Sequence, residues 1–432
     1  MRRAIRLPHA TAMVVGTIIG ASIFVQPSEV TGLIPSIPGA LLVWGCAGIL
    51  TLIGALVCAE LSSIFKESGG VYVYLRESYG PVLGFLWGWA MFWIMHSGII
   101  AVIAVVFARY TAYLFPMGES GKIATAIGSI WVLSIINYLG VRHGSTLQTL
   151  FTLGKLLAIA FIIIVGFAWG SMLPEHFVTP SHPGPVTVSH FFTALVAGLF
   201  AFGGWHMVTY NSEETVDPQK TIPRALIMGT LIVTACYIAM NTVYLYVLPL
   251  ETVAASKQVA ADAAEIVIGS GGAKIVSGIV MFSTFGALSG IVLAGPRVYM
   301  AMSRDGLLFR WFGDIHPVFR TPHKAILMQA LWASTLVATG SFRTLFTRVI
   351  YTEWIFFGLM TIGLFILRRR NIRGSYSAWG YPILPAIFVA SSFAIVINQI
   401  IVDPKESSIG LGFVLLGLPV YYLWTYFSPR SR

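Results

Sequence analysis

Charge is nearly absent from long stretches of this sequence, and that excludes most ways in which a chain can fold. Apolar runs of about twenty residues or more, the length needed to cross the hydrocarbon core of a bilayer, fall at 8–33, 39–65, 80–112, 123–141, 146–170, 189–211, 223–249, 271–303, 323–341, 344–367, 382–402 and 410–427. Of the 432 residues 56% are hydrophobic and 10% charged, where a soluble chain carries roughly 25% charged residues. Such a surface cannot face water all round, so lipid is the solvent for most of it. Helices satisfy every backbone group within one segment in lipid. The expectation is an all-α polytopic membrane protein with about 12 transmembrane helices.

A net charge of +10 would raise nucleic acid as a partner in a soluble protein. Here the basic residues cluster between apolar runs, as in Arg2, Arg3 and Arg6, or Arg368, Arg369, Arg370 and Arg373. With the N-terminus inside, about eighteen Lys/Arg fall in cytoplasmic segments and about seven outside, leaving Lys155 and Arg297 within spans. Both termini are therefore expected in the cytoplasm, with the chain crossing the cell (inner or plasma) membrane many times and no nucleic acid as partner. The basic start and first apolar stretch could pass for a signal peptide. No small-residue cleavage site follows, and eleven more runs do, so Met1 to Phe24 reads as the first membrane helix. Cys46, Cys58 and Cys236 all lie inside apolar runs and read as small core residues. No His/Cys/Asp/Glu cluster has metal-ligand spacing, and no catalytic signature is present, so neither an enzyme, a metal nor a cofactor is expected.

The first and sixth runs share an interruption. The first carries Gly16-Thr17-Ile18-Ile19-Gly20-Ala21-Ser22 and the sixth Phe200-Ala201-Phe202-Gly203-Gly204-Trp205. Glycine costs about 1 kcal/mol against alanine in a helix interior. A single cluster would read as close helix packing. Two at corresponding positions point to broken helices and a transporter binding site. Run one opens a first set of five spans and run six a second, and an odd number per set turns the two sets over relative to each other.

These residues resemble a known superfamily. Gly16-Thr-Ile-Ile-Gly-Ala-Ser-Ile-Phe24 is similar to the first-helix signature of the amino acid–polyamine–organocation superfamily. Glu67-Ser68-Gly69-Gly70-Val71-Tyr72, Gly203-Gly204-Trp205 with Glu213-Glu214 and Pro218, and Ser303-Arg304-Asp305-Gly306 resemble its later motifs in the same order. Gly154-Lys155-Leu156-Leu157 looks most like the L-type amino acid transporter branch. The resemblance implies a leucine-transporter-type fold: a five-plus-five inverted repeat with broken helices 1 and 6. Residues 1–170 would form the first repeat, 171–370 the second, and 371–432 two accessory C-terminal transmembrane helices. The sequence departs from the superfamily pattern at Ser22, where a third glycine is usual, and at His206.

An amino acid at the bilayer midplane needs every polar group satisfied. The freed N–H groups at the start of a half-helix suit a carboxylate, and freed carbonyls at the end of the preceding half suit an ammonium. The carboxylate is accordingly assigned to Gly20, Ala21 and Ser22, and the ammonium to Ile18, Ile19, Phe200, Ala201 and Gly203. Phe202, Trp205 and the Met95/His96 pair in run three are the candidates for the side-chain pocket, with Phe202 also a gate. No acidic residue lies in runs one, three or six at that depth, which favours neutral substrates. Glu353, well inside run ten, either pairs with Arg348 or takes part in proton movement. In sodium-coupled proteins of this fold a sodium ion ties helix 1 to helix 8, and the resemblance implies that the Lys155 ammonium replaces it, reaching carbonyls near Gly16 and Thr17 and the Ser289 hydroxyl.

The function expected is secondary transport of amino acids, neutral L-amino acids foremost, by alternating access in sodium-independent exchange or uniport. Two alternatives stay open: a proton-coupled carrier of amino acids or polyamines, and a non-transporting amino-acid sensor. Animal relatives can be disulfide-linked to a glycoprotein through a cysteine between helices 3 and 4. The corresponding segment, Leu114 to Lys122, has no cysteine, so no disulfide-linked accessory subunit is expected.

Overall fold

The computed structural model describes residues 3–20, 22–170, 186–269, 271–340 and 342–427, with only the main chain for residues 141, 142 and 342–350. The first apolar run is divided between α1 (Leu7–Ile18) and α2 (Gln26–Leu33). After α3 (Ile37–Ile64) and the short α4 (Val71–Tyr79) come α5 (Pro81–Ala90) and α6 (His96–Leu114), joined into one rod by a π-helical turn at Met91–Met95. Helices α7 (Glu119–Tyr138) and α8 (Val141–Trp169) follow. Helix α9 (Val188–Ala201) leads through a 3₁₀ stretch at Trp205–Glu214 to α10 (Pro218–Val247) and the short α11 (Leu250–Ala255) and α12 (Val259–Ile268). Next, α13 (Gly272–Ala294) bends at Pro296 into α14 (Pro296–Arg304), and α15 (His323–Thr339), α16 (Phe342–Arg369), α17 (Ile383–Val402) and α18 (Pro404–Phe427) follow.

Helices stand at each of the twelve apolar runs, and ten of these helical segments are long and apolar enough to cross a membrane among the described residues. The other two runs differ for local reasons. Unwinding at Ile19 leaves 12 and 8 residues on either side in the first, and α15 has 17 residues. No β-strand occurs among the described residues, where the single β-bridge joins Ile5 to Thr215.

Helix starts follow the sequence. Pro81, Pro218, Pro296 and Pro404 occupy first positions, where a missing N–H leaves no helical bond unmade. Ser36 caps α3 by accepting from Gly39 N at 3.1 Å. The outward face of α8 carries Leu150, Leu153, Leu157, Phe161 and Ile164, all exposed at a spacing of three and four residues. A continuous apolar stripe of that length is untenable in water and is what lipid requires.

Helix α1 runs through the centre of the bundle, against α8, α10 and α13. Ionic ties close one end of the bundle, the face that carries the N-terminus, among them Arg304 with Glu213 at 2.8 Å and three more, held by Arg297, Arg368 and Arg76. Arg297 of α14 donates through Nε and Nη2 to both Glu214 oxygens at 3.1 Å, and through Nη1 to Leu293 O at 2.6 Å. Both side chains of this pair are fully buried, and Glu214 O accepts Ala4 N and Ile5 N, sealing the N-terminal segment to the end of the 3₁₀ stretch. Arg368 at the end of α16 forks onto Glu60 of α3 at 2.7 and 2.6 Å, and Ala378 N donates to the same carboxylate. Arg76 of α4 bridges Glu67 at 2.8 Å and Asp305. Burial alone would weaken its charge, but the bond to Glu67 and the charge of Asp305 outweigh it and raise its pKa above the ordinary value.

Candidate substrate site

Both interruptions are real breaks. Helix α1 makes its last α-type bond from Ile19 N to Val15 O, and Ile19 then turns extended at φ −71°, ψ 94°. Helix α9 stops at Ala201, and Gly204 takes φ 92°, a left-handed conformation that L side chains avoid. A Cβ on Gly204 would also lie 3.3 Å from the Thr17 carbonyl oxygen. The glycine thus lets the second break rest directly on the first, where the Thr17 hydroxyl lies 3.2 Å from Gly204 O.

The end of a helix leaves carbonyls without intrahelical donors, and here side chains from distant helices supply them. Lys155 of α8 donates to Gly16 O at 2.7 Å and to Ile19 O at 2.6 Å. The close approach depends on Gly16, where a Cβ would meet Gln148 Nε2 and Thr152 Oγ1 of α8 at 2.2 Å. Lys155 is 1% exposed and makes no ion pair among the described residues. Its Nζ faces instead the carbonyls at the partial negative end of α1. The Tyr237 hydroxyl of α10 lies 3.0 Å from Ile18 O and 2.9 Å from Ala201 O. One hydroxyl proton is shared between the ends of both broken helices.

A cavity of about 30 Å³ opens between the breaks, room for about two water molecules. Ile18, Gly20 and Ser22 line it from the first break, and Phe200, Gly203 and Trp205 from the second. Ala21 lies outside the described residues. The remaining expected site residues are not on the wall. Ile19 turns its carbonyl to Lys155, and Ala201 turns its own to Tyr237. The Phe202 ring packs against Tyr237 at 4.9 Å between centroids rather than over the cavity. His96 sits behind it, with Nε2 2.9 Å from Ile291 O on α13. The Ser289 hydroxyl has no hydrogen-bond partner among the described residues; the α13 hydroxyl that reaches the first break is Ser283, 3.4 Å from Gly20 O.

The opposite wall was not foreseen as such. It comes from α16, through Glu353, Trp354 and Phe357, with Ile99 and Ile103 of α6 beside them. Glu353 carried a signal in the sequence as an acidic residue deep inside an apolar run. Tyr237 carried none, as one of 17 tyrosines. No group of three or more potential metal ligands occurs among the described residues.

Tyr237→Phe tests the shared hydroxyl. It leaves Ile18 O and Ala201 O without that donor, and an unsatisfied buried polar group costs about 1–3 kcal/mol. The expected result is a loss of transport of about tenfold or more with the protein still folded in detergent, and unchanged kinetics in this variant would show that the bridge is incidental.

Apolar helical spans closed round a cavity that two unwound segments line define a polytopic membrane protein with an internal cavity. Residues 5–425 match the amino acid permease family. The chain belongs to that family, within the amino acid–polyamine–organocation superfamily that its motifs resemble. It is 35% identical to the serine/threonine exchanger SteT of Bacillus subtilis (strain 168), over 98% of this chain and 97% of that protein. The b(0,+)-type amino acid transporter 1 of Homo sapiens is 31% identical over 99% of this chain and 89% of its own length. The large neutral amino acids transporter small subunit 2 of Mus musculus is 32% identical over 100% and 83%. The family and these relatives are amino acid transporters rather than enzymes.

Proposed function

We propose that this chain is a secondary carrier of neutral L-amino acids that works by alternating access, in sodium-independent exchange or uniport. The observation that carries the reading is the cavity between the two helix breaks. Gly20, Gly203 and Gly204 leave main chain bare on its wall, which suits the α-amino and α-carboxylate groups common to all amino acids. The N–H groups of Gly20, Ala21 and Ser22 receive the carboxylate. The carbonyls of Ile18, Phe200 and Gly203, the expected ammonium residues on the cavity wall, receive the ammonium, and Ile18 O keeps a second lone pair for it beside the Tyr237 hydroxyl. The names of the Bacillus subtilis and Mus musculus relatives, a serine/threonine exchanger and a transporter of large neutral amino acids, support neutral substrates.

The five-plus-five inverted repeat (1–170 and 171–370) with two accessory helices (371–432), and both termini in the cytoplasm of a cell membrane, complete this reading. The face closed by the Arg297–Glu214 tie is then the cytoplasmic one. Lys155 supports sodium independence, because its fixed ammonium already holds the carbonyls of the first break. The chain acts without a disulfide-linked partner, since the segment between α6 and α7 offers no cysteine.

Counterflow with the purified chain alone in proteoliposomes, across a panel of labelled amino acids, tests the reading. Labelled neutral amino acid should accumulate against unlabelled amino acid inside, equally in sodium and in potassium buffer. Failure to exchange any amino acid, a requirement for sodium, or a requirement for a second polypeptide would each contradict it.

A further inference from the structure

The cavity wall contains one carboxyl group, Glu353 of α16. The side chains facing it across the cavity are apolar, aromatic or the small hydroxyls of Thr17 and Ser22, with no lysine, arginine or histidine on the wall. Glu353 is 7% exposed and has neither an ion pair nor a hydrogen bond among the described residues. The side chain of Arg348, its nearest basic neighbour in sequence, lies outside the described residues. The buried cations of the core are engaged elsewhere: Arg297 with Glu214, and Lys155 with the carbonyls of the first break.

A lone carboxylate inside a membrane protein is costly without a donor, and a hydroxyl group supplies one. A neutral carboxyl presents one O–H donor and free acceptor lone pairs. An alcohol offers the same pair in reverse and satisfies it fully. The main chain of the two breaks meets the groups shared by every amino acid and cannot discriminate among them. The wall made by α16 is where side chains can be distinguished, and Glu353 is its one carboxyl, beside the donor-only indole of Trp354. Trp354 and Phe357 close that wall beside the carboxyl.

We propose that Glu353 determines side-chain specificity: its carboxyl exchanges hydrogen bonds with a hydroxyl on the substrate, so that the carrier selects short hydroxyl-bearing amino acids over aliphatic ones of the same size. The proposal rests on the amino-acid carrier reading and narrows its substrate class. A site built to bond a hydroxyl rejects the analogue that lacks it, because the site's own polar group is then left unpaired.

The test is counterflow in proteoliposomes with the full-length protein and two near-isosteric pairs, threonine against valine and serine against alanine. The wild type should favour the hydroxyl-bearing member by roughly tenfold or more in kcat/KM. Glu353→Gln, whose amide keeps a donor and an acceptor, should retain most of that ratio, and Glu353→Ala should bring it close to one. Protection of the wild type against thermal unfolding by threonine and by valine reads the same preference without any variant, and should show threonine effective at roughly tenfold lower concentration. Equal rates for threonine and valine, or a ratio that survives Glu353→Ala, overturn the proposal while leaving the carrier reading intact. Preference for lysine or ornithine overturns it in favour of a carboxylate that pairs with a cation. Serine uptake driven by an inward proton gradient, with the drive lost in Glu353→Gln, overturns it in favour of proton carriage. Absence of any amino-acid exchange overturns the carrier reading and this proposal together.

Discussion

Replacing Lys155 with alanine should lower amino-acid exchange by about 100-fold while leaving KM within about threefold of the wild type, each factor of ten corresponding to about 1.4 kcal/mol. The ammonium holds Gly16 O and Ile19 O, one on each side of the point where α1 unwinds. Alanine leaves both carbonyls buried without that donor, at about 1–3 kcal/mol each, and removes the tie between the first break and α8. Neither carbonyl's loss disturbs the N–H groups of the break assigned to the substrate carboxylate, so affinity changes less than turnover. Lys155→Arg should not rescue. A guanidinium is a planar fork rather than a compact point charge, and Lys155 sits at 1% exposure with no room to spare. Kinetics in counterflow check both expectations, and turnover equal to the wild type in the alanine variant would defeat the role assigned to Lys155.

Arg297→Met should be among the most destabilising single changes in the chain. The pair with Glu214 is fully buried on both sides, and removing one partner leaves an uncompensated charge, which costs about 3–5 kcal/mol. The same change frees Leu293 O and loosens the end of the 3₁₀ stretch, to which the N-terminal segment is bonded through Glu214 O. A double variant, Arg297→Met with Glu214→Leu, removes both charges and should recover most of the loss, because two apolar side chains of similar volume avoid the desolvation that the ion pair has to offset. Thermal unfolding in detergent measures the wild type, the single variants Arg297→Met and Glu214→Leu, and the double variant. A double variant as unstable as the sum of the two single variants would show that the cost lies in packing and not in charge.

Much of the architecture was legible in the residues. Apolar runs announce where helices stand because each span must be apolar along its own length to sit in lipid. The two unwound segments were legible for the same kind of reason. Gly16, Gly20, Gly203 and Gly204 weaken helix locally, and a local weakness is written in adjacent letters. So was Lys155, since a charge in an apolar run is conspicuous wherever it finally points.

What the sequence could not determine is which faces meet. Tyr237 bonds Ile18 O, 219 positions away, and Ala201 O, 36 positions away, and nothing in the letters around it separates it from a tyrosine that merely fills space. His96 and Phe202 sit at suggestive positions in the chain, yet α13 draws the imidazole to Ile291 O and Tyr237 draws the phenyl ring, both away from the cavity wall. Glu353 was visible as an anomaly, but only the packing of α16 against the two breaks turns it toward the cavity. A sequence determines by itself whatever depends on a residue and its immediate neighbours: span, break, buried charge. The rotation and contact of one helix against another depend on side chains far apart in the chain that interlock at close-packed density, and that the tertiary structure alone decides.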